Sequence, residues 1–287
     1  MNRAALAERG EPDMKLWLSR SEPLRTLKGV LPFCEEHSMN VTVKLTDADH
    51  NREVSVRDLE NMEREMRDKK ISVTCNLPHH GLALSCPDSR VMSYSRDVVL
   101  EGLEIGTILG AKVAVLQSGF SNHIRPNGVQ EWKDRFIESV KELVAVAEDE
   151  EIVLALKNSF EPDTEILHEI LSTVNSPWLR FCADLGHAAC FSRVAPEEWI
   201  PAMKDYTICY NFHDNEGLED EHLACGAGYV GYDGVFEAMK EADSKGNIAL
   251  DVAPEDIHVS LEHLESVGFE FEKGAMPEQE VLPVYDS

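Results

Sequence analysis

Cations are scarce in this chain: 27 lysines and arginines stand against 53 aspartates and glutamates, for a formal charge of −26. That balance repels nucleic-acid phosphate and anionic lipid over most of the surface, so no nucleic-acid or membrane partner is expected. It leaves room for a local basic pocket. A C-x-x-C pair is missing too, and the cysteine count is odd. The seven cysteines, Cys34, Cys75, Cys86, Cys182, Cys190, Cys209 and Cys225, are scattered. This argues against a disulfide framework and for reduced thiols in a cytoplasmic protein. No apolar run approaches the ~20 residues of a membrane helix. The opening MNRAALAERGEPDM lacks the apolar segment of a signal peptide and reads as a polar lead-in over 1–13. No internal repeat, low-complexity segment or linker divides the sequence.

What is present is a globular composition, 43% hydrophobic and 28% charged, in 287 residues. That length suits one large barrel or two ordinary domains. Short apolar runs alternate with helical spacing. Strands are predicted at 14–19, 40–46, 71–78, 111–119, 151–157, 179–187, 206–214 and 247–252. Helices are predicted between and after them, at 22–38, 55–70, 93–110, 129–149, 161–174, 195–205, 231–245 and 254–267. Ser55 is the expected N-cap of the second helix, and Gly110 the stop of the third. Eight strand–helix units predict a single α/β domain over 14–272, a (β/α)8 TIM barrel, with a Pro- and Glu-rich tail over 273–287. A doubly wound sheet is the alternative.

In such a barrel the site lies at the C-terminal ends of the strands. Several strand ends there are polar. Strand three ends at Asn76 and His79-His80, strand four at Gln117, strand five at Lys157-Asn158. Strand six ends at Asp184 and His187, strand seven at Asn211, His213, Asp214 and Asn215, and strand eight at Asp251. Asp220 and His222 follow in the loop after strand seven. Strict alternation would turn His213 away from Asn211, toward the helix layer. The Gly226-x-Gly228 pair fits a tight turn better than a phosphate cradle.

The segments FCADLGHA (181–188), NFHDNEGLEDEHLACGAGYVGYDGVFEAM (211–239), IALDV (248–252) and LEIGTILGAKVAVLQSG (103–119) resemble the xylose-isomerase-like barrel superfamily. That superfamily includes sugar and sugar-phosphate isomerases and epimerases, inosose dehydratase and endonuclease IV. The resemblance implies a divalent metal held by Glu, Asp, His and Glu from strands five to eight. The matching positions here are Lys157, Asp184, Asn211 and Asp251, and Asn76 (or His79) and Gln117 stand where strands three and four usually supply histidines. Glu, Asp, His, Glu and a divalent metal sum to −1; so do Lys157, Asp184, Asn211 and Asp251. The reading is that the Lys157 ammonium takes the metal's place between two carboxylates, with no cofactor expected.

The resemblance then implies an isomerase or related lyase acting beside the carbonyl of a small polyhydroxy substrate. Lys157 would stabilise the oxyanion, with Asp184 beside it, Asp251 as general base and His187 moving a proton or binding a hydroxyl. Asn76, His79, Gln117, Asn211 and His213 are candidate substrate-binding residues. The alternative cofactor is one divalent cation (Mn, Mg or Zn) held by Asp184, His187, Asp220, His222 and Asp251. The alternative function is a non-catalytic barrel that binds a small ligand or a protein. A homo-oligomer is compatible with either. DNA repair on the endonuclease IV pattern is disfavoured by the altered ligands and by the net charge.

Overall fold

The computed structural model describes residues 14–276. Eight parallel strands close into a barrel in sequence order: β1 (Lys15–Pro23), β2 (Asn40–Lys44), β3 (Val73–Asn76), β4 (Val113–Gln117), β5 (Val153–Lys157), β6 (Leu179–Asp184), β7 (Thr207–Phe212) and β8 (Lys245–Leu250). β8 pairs with β1 from Lys15↔Lys245 to Arg20↔Leu250, which closes the ring. This is the (β/α)8 architecture that the alternating pattern predicts; the doubly wound sheet is excluded.

The strands are buried on both faces, which is why they read as apolar runs rather than strict alternations. Leu16, Leu18, Val41, Val43, Leu154, Leu156 and Phe181 join the large cluster with the surrounding helices. A smaller cluster holds Val113, Val115, Val153, Ala155, Cys182 and Cys209. Opposite it, the strands from β8 through β3 carry a hydroxyl row. Ser19 Oγ lies 2.7 Å from Thr42 Oγ1, and Thr42 Oγ1 lies 2.6 Å from Thr74 Oγ1. The Asn247 amide donates to Ser19 Oγ at 2.8 Å. One side of the barrel's middle is therefore apolar and the other hydrogen-bonded.

Several boundaries differ from expectation. β1 continues to Pro23, because Ser19–Pro23 pair with Asn40–Lys44, and α1 (Leu27–Glu36) begins only after a 3-10 turn. The polar SRSEP sequence hides a strand that carries side chains to the barrel mouth. β6 stops at Asp184 instead of running to His187, since Asp184 caps a short helix, α2 (Leu185–Phe191), accepting from the His187 N–H at 2.9 Å. β7 stops at Phe212. The helix before β4, α3 (Ser89–Ile108), begins four residues before the predicted start because Asp88 caps it. Ser55 does cap its helix, accepting from Asp58 N–H at 3.2 Å. Gly110 follows the C-cap of α3 at φ +78°, the left-handed conformation that suits glycine.

Candidate active site

Asp184, at the end of β6 and 1% exposed, is the hub of the mouth. Its Oδ2 accepts from Lys157 Nζ at 3.0 Å and from Asn211 Nδ2 at 2.9 Å. Its Oδ1 faces His213 Nε2 at 3.0 Å and the His187 N–H. Burial alone would raise this carboxyl's pKa, but His187, Lys157 and His213 together hold it well below the usual carboxylate range. Lys157 is 3% exposed. Burial opposes its charge, and Asp184, then Asp251, outweigh burial and keep the ammonium protonated. The lysine thus points into the site, toward Asp184. Glu161 bonds the Ser118 hydroxyl and the Ser159 N–H.

The second carboxylate has a different partner. Asp251 accepts from Lys44 Nζ, at the end of β2, at 2.8 Å. Burial raises Asp251; Lys44, His222 and Lys157 outweigh it and hold the group down at about 2. Two lysine–aspartate pairs therefore stand in one mouth, where the sequence reading has a single lysine between two aspartates. Lys44 carries no sequence signal of its own: it ends a short strand and matches no metal-ligand position.

Three histidines surround Asp220. His187 Nδ1 donates to the Asn158 carbonyl (2.8 Å) and its Nε2 lies 3.2 Å from Asp220 Oδ2. Both ring nitrogens thus meet acceptors, which calls for the imidazolium. Burial pulls His187 down, and Asp184 together with Asp220 more than restores it, so its pKa is raised. His222 has Nδ1 2.6 Å from the Asp251 carbonyl and Nε2 3.3 Å from Asp220 Oδ2. Its pKa is about 9: burial lowers it, and Asp220 and Asp251 overcome that. His213 lies beyond the last paired residue of β7, so strict alternation no longer applies. Contrary to the alternation argument, its ring turns to the same carboxylate as Asn211 and stacks on His222 with centroids 4.1 Å apart. Gly186 makes room for that ring: a Cβ there would lie 2.0 Å from it.

The remaining candidates are dispersed. Asn76 lines a small cavity with Lys157 and Asn211, and its Oδ1 is buried without a hydrogen-bond partner. His79 bonds the Leu77 carbonyl at 3.1 Å through Nδ1, and burial pushes its pKa down to about 4, so the ring is neutral. Gln117 does not reach Asp184; its Oε1 accepts from Ser159 Oγ at 3.3 Å. Asp214 organises the loop after β7, accepting from the N–H groups of Asn215, Gly226 and Val230. Gly226 sits there at φ +86°, and a Cβ on Gly228 would lie 2.2 Å from the Asn215 carbonyl, so this pair does serve a tight turn.

A divalent metal fits one part of this mouth and not another. Where the superfamily pattern places it, the Lys157 ammonium and the Asn211 Nδ2 group already fill Asp184 Oδ2, and neither of these donor groups offers a lone pair to a metal. Two groups elsewhere have ligand atoms within 4.8 Å of one another: Asp184–His187–His213 and His213–Asp220–His222. In the second, His213 Nδ1 and Asp220 Oδ1 are 3.5 Å apart, both buried and both without hydrogen bonds. Two nitrogens and a carboxylate form a donor set that suits zinc. Asp251 lies outside both groups.

Residues 39–267 match the family model described as xylose isomerase-like TIM barrel. An uncharacterized protein of Methanocaldococcus jannaschii, MJ1311, is 27% identical over 197 residues, 65% of this chain and 67% of its own length. The fold superposes on a D-tagatose 3-epimerase-like protein with a TM-score of 0.75 at 22% identity, covering 88% of this chain and 96% of the other. It also superposes on the TTHB071 protein of Thermus thermophilus, soaked with ZnCl2, with a TM-score of 0.74 at 26% identity, covering 89% and 98%. A family match over most of the described barrel settles the lineage: this chain belongs to the xylose isomerase-like TIM barrel family.

Proposed function

We propose that this barrel is a sugar isomerase or epimerase-like enzyme that moves a proton next to the carbonyl of a small polyhydroxy substrate. The family and its epimerase-like structural neighbour support the reaction class. The observation that carries the reading is the buried Lys157 ammonium, fixed 3.0 Å from Asp184 at the barrel mouth. A fixed, desolvated cation is what a developing enediolate oxygen needs. Because its pKa is raised, Lys157 acts as a donor and not as a Schiff-base nucleophile.

Asp251 is the base. Held at about 2 it is ionised but weak, because Lys44 shares its charge. Lys44 is the more exposed partner, with 31% of its side chain accessible. A substrate oxygen or phosphate that draws the Lys44 ammonium away from Asp251 raises the carboxylate's basicity as it binds. Binding and activation are then one event. His187, charged and anchored on Asn158 and Asp220, serves as proton donor to the substrate oxygen. Asn76, with its unpartnered carbonyl oxygen, accepts from a substrate hydroxyl.

A divalent cation, where one is bound, belongs to His213, Asp220 and His222, and would supply polarisation of a substrate oxygen. The two orphaned atoms support that place, and the zinc-soaked neighbour supports a cation as one option in this fold. The seven free thiols support a reducing, cytoplasmic setting.

The test is turnover of a panel of ketoses, aldoses and their phosphates, followed by deuterium wash-in from solvent at the carbon beside the carbonyl. Lys157→Met and Asp251→Asn are each expected to lower turnover at least 100-fold. Unchanged turnover in both variants would remove these roles. Sugar binding without turnover in the wild type would instead favour the non-catalytic barrel.

A further inference from the structure

The opposite end of the barrel carries a feature that the proposed reaction does not use. A cavity of about 810 Å³ opens among the N-terminal ends of the strands. Its wall includes Lys15, Arg67, Lys70, Lys112 and Lys245, and one carboxylate, Glu63, which pairs with Arg67 at 2.5 Å. The chain as a whole has 27 cations and 53 acids, so about one cation for every two acids. The lining itself holds five cations and one acid, with Asp243 just outside it 3.9 Å from Lys245, a local inversion of the molecule's sign.

The cavity is not only a ring of lysines. Trp17, Met66 and Ile71 give it an apolar wall. Asn247, 4% exposed, lines it as well, and its Oδ1 is buried without a hydrogen-bond partner. The volume lies in the range that small-molecule sites occupy, ~300–1,000 Å³. Cations on the rim, a flat aromatic wall and a buried acceptor make three complementary demands on a ligand: negative charge, an apolar planar body and a hydrogen-bond donor.

We infer that this N-terminal mouth is a second binding site, for an organic phosphate with a flat heteroaromatic body, in the class of a nucleoside phosphate. The phosphate lies among Lys70, Lys112 and Arg67, whose ammonium and guanidinium groups are phosphate donors. The ring lies against Trp17, and an exocyclic amine donates to Asn247 Oδ1. In an acidic protein such a patch also draws the anion toward one end of the molecule. Since the site stands on the far side of the barrel from Lys157, it holds or fails independently of the reaction proposed above.

Isothermal titration at low ionic strength, with ADP and with inorganic pyrophosphate as separate probes, tests this on the full chain. ADP is expected to bind with one site per chain, to quench tryptophan fluorescence, and to bind at least tenfold more tightly than pyrophosphate. The double reversal Lys70→Glu/Lys112→Glu should weaken ADP at least tenfold, and Trp17→Leu should bring ADP to the level of pyrophosphate. Lys157→Met should leave ADP binding unchanged. All five cations are exposed residues on the rim, so these reversals spare the core; a thermal melt confirms folding. Absence of binding overturns the proposal, as does equal loss on reversing the exposed Lys141, which would mark general charge attraction. Pyrophosphate binding as tightly as ADP overturns the aromatic part, and loss in Lys157→Met relocates the ligand to the catalytic mouth and overturns the site.

Discussion

Replacing Lys157 by Met keeps the length of the side chain and removes its charge. The 1%-exposed Asp184 then keeps three of its four donors: the Asn211 amide, the His213 ring and the His187 N–H. Removing one partner of a buried ion pair costs ~3–5 kcal/mol because the other charge is stranded. The remaining donors, and relief of the lysine's own burial, reduce that, so the expected loss for Lys157→Met is about 2–3 kcal/mol. Asp184→Asn strands the ammonium and should cost a similar amount. The double variant strands neither charge. A double-mutant cycle by urea denaturation should therefore show the double variant more stable than the sum of the single losses predicts, with a coupling of about 2 kcal/mol. Additivity to within ~0.5 kcal/mol would refute the claim that Lys157 and Asp184 neutralise one another.

Gly186→Ala should destabilise by about 1–3 kcal/mol, seen as a lower thermal midpoint, because the new methyl would lie 2.0 Å from the His213 ring. His79 titrates near 6.5 in the unfolded chain and at about 4 when folded. The unfolded state therefore binds more protons between those values. His79 contributes full stability above pH ~6.5 and loses up to about 3 kcal/mol of it as pH falls toward 4. Denaturation of wild type and His79→Gln at pH 7 and pH 4.5 checks this, and the variant should lose less stability on acidification. Zinc titrated into the protein should bind through His213, Asp220 and His222, so Asp220→Asn should weaken binding at least tenfold by calorimetry while Gln117→Ala leaves it unchanged. Lys44→Met should lower the affinity for phosphorylated sugars more than for their unphosphorylated forms, measured as a KM difference, since the ammonium is the accessible partner of its pair.

The barrel was legible because its strands are short apolar runs at regular intervals, a signal that survives errors at each end. The ends themselves were less so. β1 runs on through Arg20, Ser21, Glu22 and Pro23, which no hydrophobic count would extend, because backbone pairing with β2 and not side-chain apolarity continues it. His187 reads as the end of a strand but sits in a helix that Asp184 caps, since aspartate caps look the same in sequence as strand-end aspartates. Lys157, Asp184 and Asn211 were visible as a set because they occupy equivalent strand ends. Lys44 was not, and it is the residue that separates two ion pairs from one. Its role depends on Asp251 arriving from the other end of the chain, 207 positions away.

The hydroxyl row across the barrel's middle has a directional consequence. Each of Ser19, Thr42 and Thr74 owns a single hydrogen, so the row can be read from left to right or from right to left, but not both. The Asn247 amide gives a hydrogen to one end and thereby favours the sense that leads away from it. One side chain, placed on the last strand to be made, thus sets the arrow for groups on the first three, and Asn247→Asp, an acceptor in its place, would turn that arrow around.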